Sequence, residues 1–343
     1  MTIREEVSLA GYTTFGIGGP ARWFAEARTE EDVAEAVGWA GRRGLPLFVL
    51  GGGSNLLVPD EGYAGVVVLI AIRGVEREGC RFDVGAGEPW DPFVDRTLEA
   101  GCAGVECLAG IPGSVGGTPV QNVGAYGQEV AETIVSVRAL DRRTGEFAEM
   151  SREACGFRYR ESVFNTTERG RYIVTRVRFG LREGGAPTLR YQDLQRGFAG
   201  AVRAPTLVEV AAAVREIRRG KGMLIVEGDP DCRSAGSFFK NPVVSAAEFA
   251  AVARAAGLGE AEVPHWPAGA GRVKLPAAWL LERAGFVKGY GEGAVRVSSR
   301  HTLALTNRGG ASFADVARME REIVGGVEGR FGVRLEREPV LLG

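Results

Sequence analysis

Residues 109–127 read Ala-Gly-Ile-Pro-Gly-Ser-Val-Gly-Gly-Thr-Pro-Val-Gln-Asn-Val-Gly-Ala-Tyr-Gly, with six glycines and two prolines in nineteen positions. At that density the tract reads as turns rather than as the interior of a helix or strand. A backbone without Cβ atoms also lets successive N–H groups approach an anion closely, as phosphate-cradling loops require. Two shorter segments of the same kind lie upstream: Thr14-Phe15-Gly16-Ile17-Gly18-Gly19, and Gly51-Gly52-Gly53-Ser54-Asn55. One glycine loop is weak testimony; three in the N-terminal part are better explained by a long dinucleotide. The first segment formally satisfies G-x-G-x-x-A at Gly16, Gly18 and Ala21, but it precedes a predicted strand rather than following one, so it is no Rossmann fingerprint. Gly220-Lys221-Gly222 lacks the upstream glycine and the Ser/Thr of a P-loop.

Residues 20–70 predict an α/β unit. Ala21–Ala27 is a strand, Thr29 and Asp32 form a capping box, and Val33, Ala36, Val37 and Ala40 recur at helical spacing until Gly44. The strand Leu47–Leu50 runs into Gly51–Asn55, and Gly65–Ile70 forms the next strand. Val135–Leu140, Gly145–Met150 and Tyr172–Phe179 predict further strands. Thr206–Arg219, Ala246–Ala256, Pro276–Ala284 and Ala314–Arg330 predict helices, the last opened by a capping box of Ser312 and Asp315. Val295–Ser298 and His301–Thr306 read as strands. A domain boundary is expected near residue 221.

Charge narrows the function. With 42 Lys+Arg against 43 Asp+Glu the net charge is −1, which argues against a nucleic-acid partner. No apolar run reaches the ~20 residues of a membrane span, and no signal peptide opens the sequence, so a cytoplasmic protein is expected. The five cysteines, Cys80, Cys102, Cys107, Cys155 and Cys232, are scattered and read as reduced thiols. The two histidines, His265 and His301, are too few and too separated for a His-rich metal site, and both read as structural; no metal is expected. Only four basic residues are lysine: Lys221, Lys240, Lys274 and Lys288. In so arginine-biased a chain, a lysine is a candidate for chemistry that a guanidinium cannot copy.

Three further segments carry reactive groups: Phe157-Arg158-Tyr159-Arg160-Glu161-Ser162, Ser234-Ala235-Gly236-Ser237-Phe238-Phe239-Lys240-Asn241-Pro242, and the tail Leu335-Glu336-Arg337-Glu338. Taken with the glycine segments and in this order, they resemble the MurB family, the UDP-N-acetylenolpyruvoylglucosamine reductases of peptidoglycan precursor synthesis. The resemblance spans nearly the whole chain. Ala109–Gly117 and Gly236–Pro242 are its most specific stretches.

The resemblance implies an α+β protein with a two-subdomain FAD-binding domain of the vanillyl-alcohol-oxidase (PCMH-like) type. It places that domain at residues 1–221, with subdomains about 1–70 and 71–221. A C-terminal α+β substrate-binding domain follows at 222–325, and the tail 326–343 packs back on the FAD-binding domain. It implies noncovalent FAD, consistent with the absence of histidine from the N-terminal glycine segments, and NADPH as reductant. Cofactor contacts are expected from Gly51, Gly52, Gly53, Ser54, Asn55, Ile111, Pro112, Gly113, Ser114, Gly116, Gly117, Asn122, Gly124 and Tyr126. By motif, Ser237 matches the family's proton donor, Arg160 its carboxylate partner and Glu338 its enol-stabilising acid. Lys221, Asn241 and Tyr191 match substrate contacts. Tyr191 lies in a loop like that of the longer, type I members. Lys221 departs from the pattern: Gly222-Met223-Leu224 follows it where the family usually has Leu-Pro, and the chain up to Ser237 is longer. The implied partners are a UDP-sugar and NADPH, and a monomer is expected. Two other readings stay open here: a related FAD-dependent oxidase or dehydrogenase with another substrate, and a non-catalytic nucleotide-binding module.

Overall fold

A computed structural model describes all residues, 1–343. The chain divides into two compact units: Met1–Val7, Ala21–Gly53 and Tyr63–Gly220 form the first, and Ser8–Pro20, Ser54–Gly62 and Lys221–Gly343 the second.

The first unit holds two large sheets and two small two-stranded ones. One has the strand order Ile3–Ser8, Pro20–Ala27, Tyr63–Ile70, Leu47–Leu50. Tyr63–Ile70 runs parallel to both Pro20–Ala27 and Leu47–Leu50. Parallel strands need a crossover, and the helix Glu30–Arg42 supplies it between Pro20–Ala27 and Leu47–Leu50. The Thr29–Asp32 capping box starts that helix, which buries Val33, Ala36 and Ala40. The second sheet is antiparallel, in the order Glu146–Ser151, Ile134–Asp141, Tyr172–Gly180, Arg81–Gly85, Val75–Glu78. The helix Trp90–Glu99, absent from the sequence reading, buries Trp90, Phe93, Val94 and Leu98 in the same core as Phe82 and Phe179. The helix Leu207–Gly220 closes this unit in sequence.

The second unit gathers the helices Ala246–Ala256, Ala277–Arg283 and Phe313–Phe331 about a core that includes Phe238, Phe239, Leu280, Ile323 and Val327. Phe15, Ile17 and Leu57 are buried in this core as well. That explains why Ser8–Pro20 and Ser54–Gly62, distant in sequence, belong here. The tail, expected to return to the FAD-binding domain, pairs Val340–Leu341 in parallel with Leu56–Leu57, inside the second unit.

Two sequence expectations need correction. Cys80 and Cys102, expected as reduced thiols, form a disulfide, with Cα atoms 5.6 Å apart, within the range such a bond spans. Cys107 and Cys155 are buried thiols, and Cys232 is partly exposed. The second correction concerns His301, which does not begin a strand. Ser298 Oγ accepts the N–H groups of Arg300 and His301, holding them in a turn, and the strand starts at Leu305.

Candidate functional site

In the first unit, the turn after Leu47–Leu50 presses against the long glycine tract. A Cβ on Gly52 would lie 2.4 Å from Gly113 Cα, and one on Gly51 2.9 Å from Ser114 Oγ. Only glycine permits this approach. Backbone bonds fix the tract from its other flank: Trp90 N–H to Gly113 O at 3.0 Å, Val115 N–H to Glu88 O at 2.8 Å, and Gly116 N–H to Ala86 O at 2.8 Å. Ser114 Oγ lies buried beside these glycines with no hydrogen-bond partner. An unsatisfied buried hydroxyl costs roughly 1–3 kcal/mol, so the site calls for a polar ligand atom at this point. Ile111 and Pro112 precede this contact in the tract, and Gly117 ends the short 3-10 helix Val115–Gly117 that follows it.

Asn122 stands further along the tract, buried and with φ +45. Its amide serves the protein: Nδ2 donates to Glu129 Oε2 and to the Arg158 carbonyl oxygen, and Oδ1 accepts the Ala131 N–H. It shapes the loop. Arg160 is held against that loop, Nη2 donating to Gly124 O at 2.5 Å and Nη1 to Asn122 O at 3.4 Å. A Cβ on Gly124 would lie 3.0 Å from Arg160 Nη1, so the glycine makes room for the guanidinium. Arg160 itself has φ +58, a left-handed conformation costing an L-residue about 1–2 kcal/mol. The Arg158–Glu161 bridge on either side of it and Asn165 Nδ2 donating to its carbonyl oxygen hold it there. Such a tip, strained yet tightly determined, is typical of functional positions.

Tyr126 is buried, and its ring meets that of Tyr191 edge-on at 5.1 Å. Tyr191 precedes a short helix, Gln192–Gly197. Beside Tyr126 lies a group that the sequence reading passed over. Arg218 is 6% exposed, its Nε donates to Gly110 O at 2.8 Å, and it bonds to Tyr126. Burial pulls its pKa below the usual guanidinium value. The signal was available: the buried face of its helix reads Val210, Ala211, Val214, Arg218, which sets a cation on an apolar stripe.

In the second unit, Ser237 and the tail are neighbours by register. Phe239 and Arg337 form an antiparallel bridge. Lys240 N–H donates to Glu336 O at 3.0 Å, and Glu338 N–H to Phe238 O at 2.9 Å. Phe238 N–H in turn donates to Leu303 O at 2.7 Å, so the segment bearing Ser237 runs between the tail and residue 303. Asn55 Nδ2 donates to Glu338 O at 3.4 Å, and Asn55 O accepts from Val340 N–H at 2.9 Å. Asn55 therefore helps seat the tail. Ser54 also lies in this unit, its carbonyl accepting from Thr14 Oγ1. Asn241 Oδ1 accepts the Ala277 N–H at 2.9 Å and so caps the helix Ala277–Arg283, leaving Nδ2 to donate. His301, read as structural, is drawn down to a pKa of about 4, by burial first and then by the charges of Lys221 and Lys288. It stays neutral near pH 7 and lies within reach of the Lys221 charge.

Residues 21–151 match the FAD binding domain family, and residues 229–342 match UDP-N-acetylenolpyruvoylglucosamine reductase, C-terminal domain. The UDP-N-acetylenolpyruvoylglucosamine reductase of Streptomyces coelicolor is 50% identical over 99% of this chain and 90% of its own. That of Thermobifida fusca is 48% identical over 99% and 98%. The chain belongs to the UDP-N-acetylenolpyruvoylglucosamine reductase family. The crystal structure of the family member from Thermus caldophilus superposes with a TM-score of 0.66 at 29% identity and covers 100% of both chains. The α+β architecture is thus that of the reductase family from end to end. The FAD-binding match takes in Gly51–Gly53 and the whole tract Ala109–Gly127. These are the glycines whose absent side chains bring two loops together around the unpartnered Ser114 hydroxyl.

Proposed function

We propose that the chain reduces the enolpyruvyl group of UDP-N-acetylglucosamine enolpyruvate to give UDP-N-acetylmuramate, with FAD as cofactor and NADPH as reductant. It is an oxidoreductase of peptidoglycan precursor synthesis. The observation that carries this reading is the pairing of the Glu338 backbone with Phe238, which sets the tail acid beside the residue that follows Ser237.

The glycine cradle and the Ser114 hydroxyl fit a dinucleotide, so Gly51, Gly52, Gly53, Ile111, Pro112, Gly113, Ser114, Gly116 and Gly117 would hold noncovalent FAD. Gly124 and Tyr126 would do so from the loop that Asn122 shapes. Bound FAD, once reduced by NADPH, supplies a hydride. Addition of hydride to the enolpyruvyl double bond leaves negative charge on the carbon next to the carboxylate, spread onto its oxygens. Arg160, already positioned by backbone carbonyls, offers a guanidinium fork to that carboxylate. Ser237 Oγ delivers the proton to the α-carbon, a demanding role for so weak an acid and one that only a strongly basic enolate allows. Glu338 polarises the enol. Lys221 and Asn241 take the nucleotide end, and Tyr191, edge-on to Tyr126, closes over it and excludes water.

We further propose a cytoplasmic monomer that engages neither nucleic acid nor membrane. Its net charge of −1 argues against a nucleic-acid partner, and no helix is long and apolar enough to cross a membrane.

The test is spectroscopic. The purified protein is expected to be yellow, to bleach with NADPH without air, and to regain colour when the enolpyruvyl nucleotide is added. A colourless protein excludes the flavin. Bleaching without recovery points instead to an oxidase or dehydrogenase with another substrate.

A further inference from the structure

Between Lys221 and Ser237 the structure holds a charged cluster. Asp231 is 3% exposed. Its Oδ1 accepts from Ser299 N–H at 3.0 Å and from Arg308 Nη2 at 3.0 Å. Its Oδ2 accepts from Ser299 Oγ at 2.5 Å and from Arg300 Nε at 3.3 Å. Arg300 also clasps Asp229 through Nη2. Two carboxylates therefore balance two guanidinium groups. Pairs of this kind tolerate burial only when both charges are met, and losing one partner strands the other.

The cluster touches both ends of the segment. A Cβ on Gly222 would lie 2.8 Å from Asp231 Cβ and 3.2 Å from Arg300 Nε, so the backbone next to Lys221 rests directly on it. On the far side, Arg233 O accepts from Asn307 N–H at 2.9 Å, and Ser234 O accepts from Thr14 Oγ1 at 2.7 Å. Ser234 Oγ then accepts the Gly236 N–H, one residue before Ser237. Arg300 and Arg308 flank the strand Leu305–Asn307 and the turn that carries His301. Lys221, His301 and Ser237 are thus all referred to one hairpin, with Asp231 at its hub.

We propose that Asp231 is a positioning residue: it fixes the separation between Lys221 and Ser237, and with it the alignment of a bound nucleotide's diphosphate with its reacting carbon. The inference rests on the proposed substrate. It predicts that the two ends of the substrate lose their common frame when the Asp231 charge is removed, while reduction of the flavin by NADPH does not change.

The experiment compares Asp231→Asn with the unaltered protein and with Asp141→Asn, which breaks a buried ion pair to Arg171 in the antiparallel sheet. Anaerobic bleaching by NADPH, reoxidation by the enolpyruvyl nucleotide, and calorimetric binding of that nucleotide to the oxidised protein are each measured where all three proteins are folded. For Asp231→Asn, unchanged bleaching is expected, with reoxidation and nucleotide affinity each about tenfold lower, a change worth 1.4 kcal/mol apiece. Asp141→Asn is expected to lower the melting temperature with both nucleotide readouts unchanged. Should Asp231→Asn not fold, Arg308→Gln removes one cation from the same carboxylate and should shift both readouts in the same direction. Reoxidation and affinity within twofold of the unaltered protein would overturn the proposal. If the unaltered protein's flavin is itself not reoxidised by the nucleotide, the substrate reading falls first, and the two failures are told apart.

Discussion

Glu338 N–H donates to the carbonyl oxygen of Phe238 at 2.9 Å, and the next bond along joins Lys240 N–H to Glu336 O at 3.0 Å. The tail is thereby laid alongside the Ser237 segment in a single register. Beyond Glu338, Leu342 N–H donates to Leu57 O at 2.9 Å, and the Leu342 side chain is 1% exposed. Leu342→Ala should destabilise the second unit by about 2–4 kcal/mol through the cavity it leaves. It should slow flavin reoxidation by the nucleotide more than flavin reduction by NADPH. Equal effects on both half-reactions would separate the tail from the chemistry.

Ser237→Ala removes the proposed acid and little else, since Ser237 is only partly buried. Colour and bleaching by NADPH should be normal. Nucleotide reduction should drop by about 100- to 10,000-fold, the usual worth of a positioned acid. Turnover near the unaltered rate would remove Ser237 from the mechanism.

Gly52→Ala forces a methyl group to 2.4 Å from Gly113 Cα. The two loops must part, and the purified protein should lose at least about tenfold in flavin affinity, read from its 450 nm absorbance against 280 nm. A yellow Gly52→Ala protein with unaltered affinity would dissociate the cradle from the cofactor.

His301 sets a pH dependence. Its pKa falls from an ordinary 6.5 to about 4 in the folded chain. Between those values the unfolded chain binds a proton that the folded chain refuses. Stability is therefore intact above about pH 6.5 and declines as pH falls toward 4, by at most about 3 kcal/mol at 1.36 kcal/mol per unit. His301→Gln should flatten this limb of a melting-temperature profile, which an unchanged slope would refute.

The cysteines give a counting experiment. Burial pushes Cys107 and Cys155 up to a pKa of about 12, and Cys80 is joined to Cys102. A thiol reagent at pH 8 should label one group, Cys232, in the folded protein, three after unfolding, and five after unfolding with reductant. Opening the disulfide, whose sequence separation is 22, should cost about 3 kcal/mol on the chain-entropy estimate. Five labelled groups without reductant would remove the bond.

What the sequence disclosed follows the range of the interaction. The Thr29–Asp32 and Ser312–Asp315 boxes are local, and the helices they open are where the pattern predicts. Trp90–Glu99 escaped because its N-cap is Pro89, with no side-chain bond to advertise it. The Cys80–Cys102 bond joins a turn to a short strand across the helix Trp90–Glu99 between them in sequence, a pairing that spacing does not encode. The site divides in the same way. The glycine turns at Gly51–Gly53 and Ala109–Gly127 were legible from composition, whereas their close approach to one another was not. That Asn55 turns to Glu338, and that Phe15 and Ile17 belong to the core around Phe238, required contacts across most of the chain. Arg218 was readable and was missed, one cation among many arginines.

The parallel pairing of Val340–Leu341 with Leu56–Leu57 has a consequence for synthesis on the ribosome. Residues 8–20 and 54–62 emerge well before residues 221–343, with which they form one unit. Until then Phe15, Ile17 and Leu57 are apolar groups without a core, while residues 63–220 can already fold between them. The nascent chain therefore carries a long-lived exposed surface until residues 221–343 arrive to cover it. A stalled or clipped product lacking those residues should be handed to chaperones and proteases rather than accumulate as a half-active enzyme.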